Sequence, residues 1–203
     1  KIKKLTIFPI STSPIRTMPV ELINLIILKF SNKIKLEIVM DDFYPTSKFL
    51  ISKINSQNVK MIFHKNIEEL INIVKAIQYG VFVDSGPLHL AKIFNKKGLF
   101  IETSVNYEKL LNKFNNIEVI KNQFKSDYCN GPCGLTNLFN IKKTTGCYFT
   151  NKINKDDFSK IQNTNALQRG ILKTNYEKFM EYPVGCIKNI DLKKILNTIE
   201  SKL

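Results

Sequence analysis

The residue types best suited to chemistry stand in one short run, Asp84-Ser85-Gly86-Pro87-Leu88-His89, directly after the apolar stretch Val81-Phe82-Val83. Asp84 falls at the carboxyl end of a predicted strand, where it can accept from sugar hydroxyls, and Pro87 is suited to open a following helix. The start of such a helix attracts an anion, and Ser85, Gly86 and His89 would lie beside it. The alternative is that Asp84 only caps the helix and His89 is an ordinary histidine. The concentration of these features in one turn favours ligand binding.

A second polar loop follows the first predicted strand. It holds three hydroxyls, on Ser11, Thr12 and Ser13, and the guanidinium of Arg16. Hydroxyls, backbone N–H groups and an arginine are the components of a phosphate site. Taken alone, the loop is better explained as an ordinary turn rich in Ser and Pro.

Two hydrophobic periods alternate along residues 1–121 and predict the elements that position these loops. Strands are predicted at 4–10, 34–40, 59–63, 80–83, 98–101 and 117–120, and helices at 19–30, 47–54, 66–78, 87–94 and 107–114. Pro19 is predicted at the first helical position, and Asn66 with Glu69 predicts a capping box. The alternation predicts an α/β fold with a doubly wound, mostly parallel, Rossmann-like sheet. Ligands bind beyond the carboxyl ends of such strands.

The chain of 203 residues is predicted to divide into three parts. Residues 1–121 form the Rossmann-like domain. Residues 122–185 form an irregular cysteine-containing excursion, with short helices predicted near 156–162 and 176–180. Residues 186–203 contain a closing helix with Asp191 as its N-cap, whose apolar stripe is expected to pack back on the domain.

The net charge of +14 points to an anionic partner, but only Arg16 and Arg169 are arginines among 31 basic residues. Proteins that read nucleic acid concentrate arginine and aromatic residues in one patch, so we expect no nucleic-acid partner. Peripheral contact with an anionic membrane and a basic surface kept for solubility both remain open. The densest apolar run, 22–30, is too short to cross a bilayer, which takes about 20 residues. No export signal is recognisable, so we expect a cytoplasmic protein, with any membrane contact at the inner face of the inner membrane.

Four cysteines, Cys129, Cys133, Cys147 and Cys186, lie at the start, in the middle and just past the end of the excursion. The first two have the spacing of half a zinc site, but the other two lack a close partner. A structural metal and a disulfide are both possible. Reduced structural thiols are the default expectation in a protein without an export signal.

The run VFVDSGPLHLAKIF resembles the D-[TS]-G-P-x-H-L-A signature of the heptosyltransferase family of glycosyltransferases, family 9. The run IFPISTSPIRTMPVELINLI is similar to the loop and helix that open the C-terminal domain of that family. It departs from the family pattern at Ile10, where a glycine is usual, and at Met18, where tryptophan is usual. The likeness extends over roughly residues 3–121, and GCIKNIDLKKIL is similar to the closing segment of the family.

The resemblance implies the C-terminal, donor-binding half of a GT-B enzyme that uses a nucleotide-sugar donor, typically an ADP-linked heptose for lipopolysaccharide. It places the donor diphosphate between Ser11, Thr12, Ser13 and Arg16 on one side and Ser85, Gly86 and His89 on the other. It places Asp84 at the donor sugar, Asp42 near the ribose and Lys65 near the base. No cofactor or metal is implied at the site.

In that family the acceptor site and the catalytic base belong to an N-terminal domain. We therefore expect this chain to be a fragment or a separately encoded donor-binding domain, inactive without an N-terminal acceptor half. Two other readings stay open. One is a non-catalytic nucleotide or phosphosugar binding module, and the other is a metal-stabilised nucleic-acid protein.

Overall fold

A computed structural model describes residues 1–41, 45–112, 114–126, 129–135, 179–181, 183 and 185–203. Its main sheet contains β1 (Lys4–Phe8), β2 (Lys35–Asp41), β3 (Lys60–His64), β4 (Gly80–Phe82), β5 (Gly98–Ile101) and β6 (Ile117–Ile120). The helices between them are α1 (Val20–Phe30), α2 (Pro45–Lys53), α3 (Ile67–Lys75), α4 (Gly86–Ile93) and α5 (Tyr107–Leu111). All five strand pairings are parallel, in the order β3-β2-β1-β4-β5-β6. The predicted Rossmann-like α/β fold is confirmed.

Helices cover both faces of the sheet. Successive side chains of a strand point to opposite faces, so each strand contributes to both apolar cores. Ile7 packs in one apolar core with α1, whereas its neighbour Phe8 packs in the other core with α3 and α4. Val81 and Phe82 divide between the two cores in the same way. The strands are therefore apolar on both sides, as is typical of parallel sheets.

The short strand β4 owes its geometry to two glycines. A methyl group added at Gly98 would lie 2.4 Å from the carbonyl oxygen of Gly80 and 2.6 Å from the Phe82 ring. One added at Gly80 would lie 2.1 Å from the same ring. The Phe82 ring stacks on Phe8, with the ring centroids 5.2 Å apart. The glycines thus make room for the ring that fixes β4 against β1.

Two predicted helix starts differ in detail from the structure. Pro19 is the N-cap of α1 rather than its first residue, because its ψ of 144° is extended. Asn66 caps α3 as predicted and accepts from the Glu69 N–H at 2.9 Å. The Glu69 carboxylate reaches one residue further than a capping box requires and accepts from the Lys65 N–H at 2.8 Å.

Beyond β6 the chain forms two short antiparallel strands, β7 (Lys125–Ser126) and β8 (Cys129–Asn130). This hairpin was not predicted, because residues 122–185 were expected to be irregular. A short helix, α6 (Gly185–Lys188), precedes α7 (Leu192–Glu200). Asp191 caps α7 as predicted, and Ile195 and Ile199 are buried in the core on the α1 face. The helix predicted near 156–162 and most of that near 176–180 lie outside the described residues. Among the helices that are described, none has the length and apolar character needed to span a bilayer.

Candidate functional site

The two polar loops meet at the same edge of the sheet. Strands β1 and β4 are parallel neighbours, with Phe8 opposite Phe82, so both loops leave the sheet at its carboxyl edge. Between them lies a cavity of about 420 Å³, within the range of about 300–1,000 Å³ usual for small-molecule sites. Strands β2 and β3 and helix α3 complete its wall. The cavity is lined by Phe8, Ile10, Ser11, Thr12, Arg16, Val39, Met40, Asp41, His64, Asn66, Ile67, Leu70, Asp84, Ser85, Gly86, Pro87 and His89.

The start of α4 faces this cavity. Ser85 is its N-cap, but the Ser85 hydroxyl donates to the Val83 carbonyl at 3.3 Å instead of accepting from the first turn of the helix. Gly86 is exposed, and a methyl group added there would meet no described heavy atom within 4 Å. His89 is exposed one turn into the helix and also lines the cavity. This helix end offers the N–H groups and positive dipole end that favour an anion.

The first loop is held in shape by hydrogen bonds of Thr17, a residue for which no role was predicted. Its hydroxyl lies 3.0 Å from the Ser13 carbonyl and 3.2 Å from that of Ser11, and it accepts from the Ser11 N–H at 3.2 Å. A further backbone bond joins the Met18 N–H to the Pro9 carbonyl at 2.8 Å. The loop therefore has a defined shape set by its own bonds.

The three hydroxyls of the predicted phosphate loop have different surroundings. Ser11 and Ser13 are 3% and 0% exposed, and neither hydroxyl has a hydrogen-bond partner among the described residues. Ser11 lines the cavity, whereas Ser13 does not. Thr12 is exposed, lines the cavity and accepts from Arg16. The buried Ser11 hydroxyl thus stands at the cavity with unused hydrogen-bonding capacity, a costly arrangement unless a ligand supplies the partner.

Arg16 joins the two loops. It stands at the end of a 3₁₀ turn, Pro14–Arg16. Its Nη1 donates to the Asp84 carboxylate at 3.0 Å and to the Asp84 carbonyl at 3.1 Å, and its Nη2 donates to Thr12 at 3.1 Å. Both residues were predicted at the ligand, but their pairing with each other was not predicted. The separation of 68 residues left no local signal for this contact.

A second buried acid lines the cavity at the end of β2. Asp41 is 4% exposed, accepts from the Ser47 hydroxyl at 2.8 Å and lies opposite His64 in the register of β2 and β3. Its neighbour Asp42, which was predicted near the ribose, lies outside the described residues. The same reasoning that found Asp84, an acid at the carboxyl end of a strand, applies equally to Asp41.

Lys65 does not line the cavity. It is exposed between β3 and α3, and its backbone N–H donates to the Glu69 carboxylate in the first turn of α3. The residues on either side, His64 and Asn66, line the cavity instead. The expected role of Lys65 near a base therefore remains a prediction that the cavity does not support.

The described cysteines do not line this cavity. Cys129, Cys133 and Cys186 form no disulfide with one another, and Cys147 lies outside the described residues. Burial and the neighbouring Cys133 raise the pKa of the Cys129 thiol, which favours its protonated form. Within the part of the chain that the structure describes, no three His, Cys, Asp or Glu side chains are grouped to hold a metal.

No model of a known protein family matches the sequence. No curated protein matches it either. Among solved structures, the chain is similar to the E. coli heptosyltransferase WaaC with ADP, at 13% identity and a TM-score of 0.47. It is also similar to WaaC with ADP-2-deoxy-2-fluoro heptose, at 13% identity and a TM-score of 0.49. Each match covers 58% of this chain and 36% of that one, so the chain spans about a third of the length of these proteins. At this identity the likeness is one of fold.

Proposed function

We propose that this chain binds the diphosphate of a nucleotide sugar and is the donor-binding half of a glycosyltransferase of the heptosyltransferase type. The observation that carries the proposal is the buried Ser11 hydroxyl without a described partner, standing at the same cavity as the uncapped start of α4. The helix end supplies the dipole and the hydroxyl supplies an unused donor, which together suit a phosphate. The resemblance of residues 81–94 to the family signature supports the same conclusion.

The proposed contacts divide between the two loops. Ser11, Thr12 and Arg16 approach the diphosphate from the β1 side. Ser13 was predicted to join them, but it does not line the cavity, so we propose that it supports the loop. Ser85, Gly86 and His89 approach from the α4 side. Asp84 was predicted at the sugar.

The ribose contact is proposed for the two acids at the carboxyl end of β2, Asp41 and Asp42. Asp41 lines the cavity, and Asp42 comes next in the chain. In Rossmann-like folds an acid at the end of a strand beside the phosphate loop accepts from ribose hydroxyls. The Ser47 hydroxyl donates to Oδ1 of Asp41 at 2.8 Å, which restrains this carboxylate at the cavity.

The proposed chemistry is displacement of the nucleoside diphosphate by an acceptor hydroxyl. A carboxylate deprotonates the hydroxyl, the new glycosidic bond forms, and the bond from the sugar to the diphosphate breaks. The α4 helix end, Arg16 and His89 stabilise the charge that develops on the departing diphosphate. The base and the acceptor site are proposed to come from an N-terminal half.

A non-catalytic nucleotide or phosphosugar binding module is the second candidate. It is favoured by the state of the two carboxylates described at the cavity. Asp84 is paired with Arg16, and Asp41 accepts from Ser47. A transfer assay separates the candidates: the glycosyltransferase half gains activity when an acceptor half is supplied, and the binding module does not.

The proposed location is cytoplasmic, where nucleotide sugars are made. The net charge of +14 supports contact with an anionic membrane surface. Flotation with vesicles containing anionic lipid tests this proposal. Binding that persists at high salt, or that does not depend on anionic lipid, would speak against it.

The binding proposal is tested by calorimetry and thermal unfolding with ADP, UDP, GDP and their sugar conjugates. We expect ADP or an ADP-sugar to stabilise the fold, by about 2.7 kcal/mol at a hundredfold excess over its Kd. Arg16→Ala and His89→Ala should each weaken binding by about 1–3 kcal/mol. Lys193→Ala, an exposed cation on α7, is the matched control and should bind normally. If no nucleotide or nucleotide sugar binds at millimolar concentration, the proposal is wrong.

A further inference from the structure

An ion pair between Arg16 and Asp84 joins the two loops of the site, with 3.0 Å between Nη1 and the carboxylate. The guanidinium donates twice to Asp84 and once to Thr12, at 3.0–3.1 Å. The Arg16 side chain is 15% exposed and the Asp84 side chain is 7% exposed. Arginine presents its donors in a planar fork, so bonds to the carboxylate, the carbonyl and the hydroxyl together fix its orientation.

The position of Asp84 raises an electrostatic problem for a site that takes a diphosphate. A carboxylate beside a bound anion repels it, and burial strengthens that repulsion because water screens it less. A buried negative charge improves the binding of an anion only if it acts on a positive group that the anion contacts. In this cavity Arg16 is the group that Asp84 holds.

We infer that Asp84 is a positioning residue, which orients Arg16 for the diphosphate and does not itself carry the affinity for the sugar. This inference rests on the proposed function and specifies how its anion site is organised. The Asp84 carboxylate and carbonyl hold Nη1, and Thr12 holds Nη2, so the guanidinium stays at the cavity wall. The departure from the sequence expectation is specific: the sugar contact assigned to Asp84 is replaced by a contact to Arg16.

The test compares a bare nucleotide with a nucleotide sugar. Affinities for ADP and for ADP-glucose are measured by calorimetry for the wild-type chain and for Asp84→Asn, which keeps the shape of the side chain but removes its charge. We expect the variant to bind both probes about tenfold more weakly, and by the same factor, because both reach Arg16 through the diphosphate. Glu200→Gln removes an exposed carboxylate on α7 and serves as the charge control, with unchanged affinities.

A direct sugar contact makes a different prediction. Asp84→Asn would then weaken ADP-glucose alone and leave ADP unchanged, or bind ADP more tightly because a repulsive charge is gone. Either result overturns the inference while leaving the diphosphate site in place. By contrast, a wild-type chain that binds none of ADP, UDP and GDP overturns the proposed function, and this inference with it.

A double-mutant cycle checks that Asp84 acts through Arg16. In an Arg16→Ala background, Asp84→Asn should cause no further loss of ADP affinity, since the group that it positions is absent. A full tenfold loss in that background would show independent action and contradict the inference.

Urea denaturation monitors folding of each variant. If Asp84→Asn does not fold, Arg16→Lys takes its place, because it keeps the positive charge but loses the fork. Unchanged ADP affinity in Arg16→Lys would refute the positioning role.

Discussion

The same substitution, glycine to alanine, should have opposite consequences at Gly86 and Gly98. At Gly86 the added methyl group meets no described atom within 4 Å, and the position is the first residue of α4. The fold should therefore keep its stability or gain up to about 1 kcal/mol from the better helix former. At Gly98 the methyl group would lie 2.4 Å from the backbone oxygen of Gly80, so the strands must move apart. We expect a loss of about 1–3 kcal/mol there.

Ligand binding should be weakened by Gly86→Ala and left unchanged by Gly98→Ala. The methyl group at Gly86 occupies the space through which a phosphate approaches the first N–H groups of α4. The loss of one charge-assisted hydrogen bond costs about 1.5–3 kcal/mol, which is roughly a tenfold to hundredfold loss of affinity. Gly98 lies outside the cavity, so Gly98→Ala should bind ADP normally at a temperature where it is folded.

Urea denaturation gives the stability of each variant, and calorimetric titration with ADP gives its affinity. Normal ADP binding by Gly86→Ala would refute the close approach of a phosphate to this helix end. A marked loss of stability in the same variant would show instead that space at Gly86 is needed by the fold. Gly98→Ala supplies the control for both, because the chemical change is identical.

Two further predictions concern buried groups. Ser11→Ala and Ser13→Ala each remove a buried hydroxyl without a described partner, so both should leave urea stability unchanged or raise it by up to about 1 kcal/mol. Only Ser11→Ala should weaken ADP binding, by roughly tenfold, and equal losses in both variants would contradict the assignment. Burial alone would raise the pKa of Glu37, but ion pairs with Lys35 at 3.2 Å and Lys4 at 3.4 Å lower it overall below 4.5. Its folded-state pKa is thus below its unfolded one, so its contribution is complete above about pH 4.5 and is lost as the pH falls through the folded value. Glu37→Gln should flatten the decline of the urea midpoint between about pH 5 and 3, and an unaltered decline would exclude this pair as its source.

Much of the fold could be predicted because each element carries its own local signal. The helix α3 has a stripe of apolar residues and a cap at Asn66, and α7 has the same signals with Asp191. Both caps are confirmed by hydrogen bonds to the first turn. The ends of α1 and α3 were less predictable because several residues can satisfy the same N–H groups. At the start of α3, for example, Glu69 bonds to Lys65 where a capping box would have it bond to Asn66.

The candidate site was predictable to the level of its loops but not of its contacts. Residues that follow strands at the carboxyl edge can be found from the strand pattern alone, which is how Asp84 was identified. The pairing of Arg16 with Asp84 depends on β1 lying next to β4. No short stretch of the sequence indicates this strand order. The difference between Ser11 and Ser13 likewise depends on which way each side chain turns, and neighbouring residues of the same type give no sign of this.

The strand order also separates the cavity from the hairpin β7–β8, whose described residues do not line it. Every described residue at the cavity falls between Phe8 and His89. The hairpin β7–β8 follows β6, which forms the edge opposite β3. Substitutions in the described residues of this hairpin should therefore leave the ligand contacts unchanged. In protein engineering, that edge is the natural point at which to attach a reporter or a partner domain.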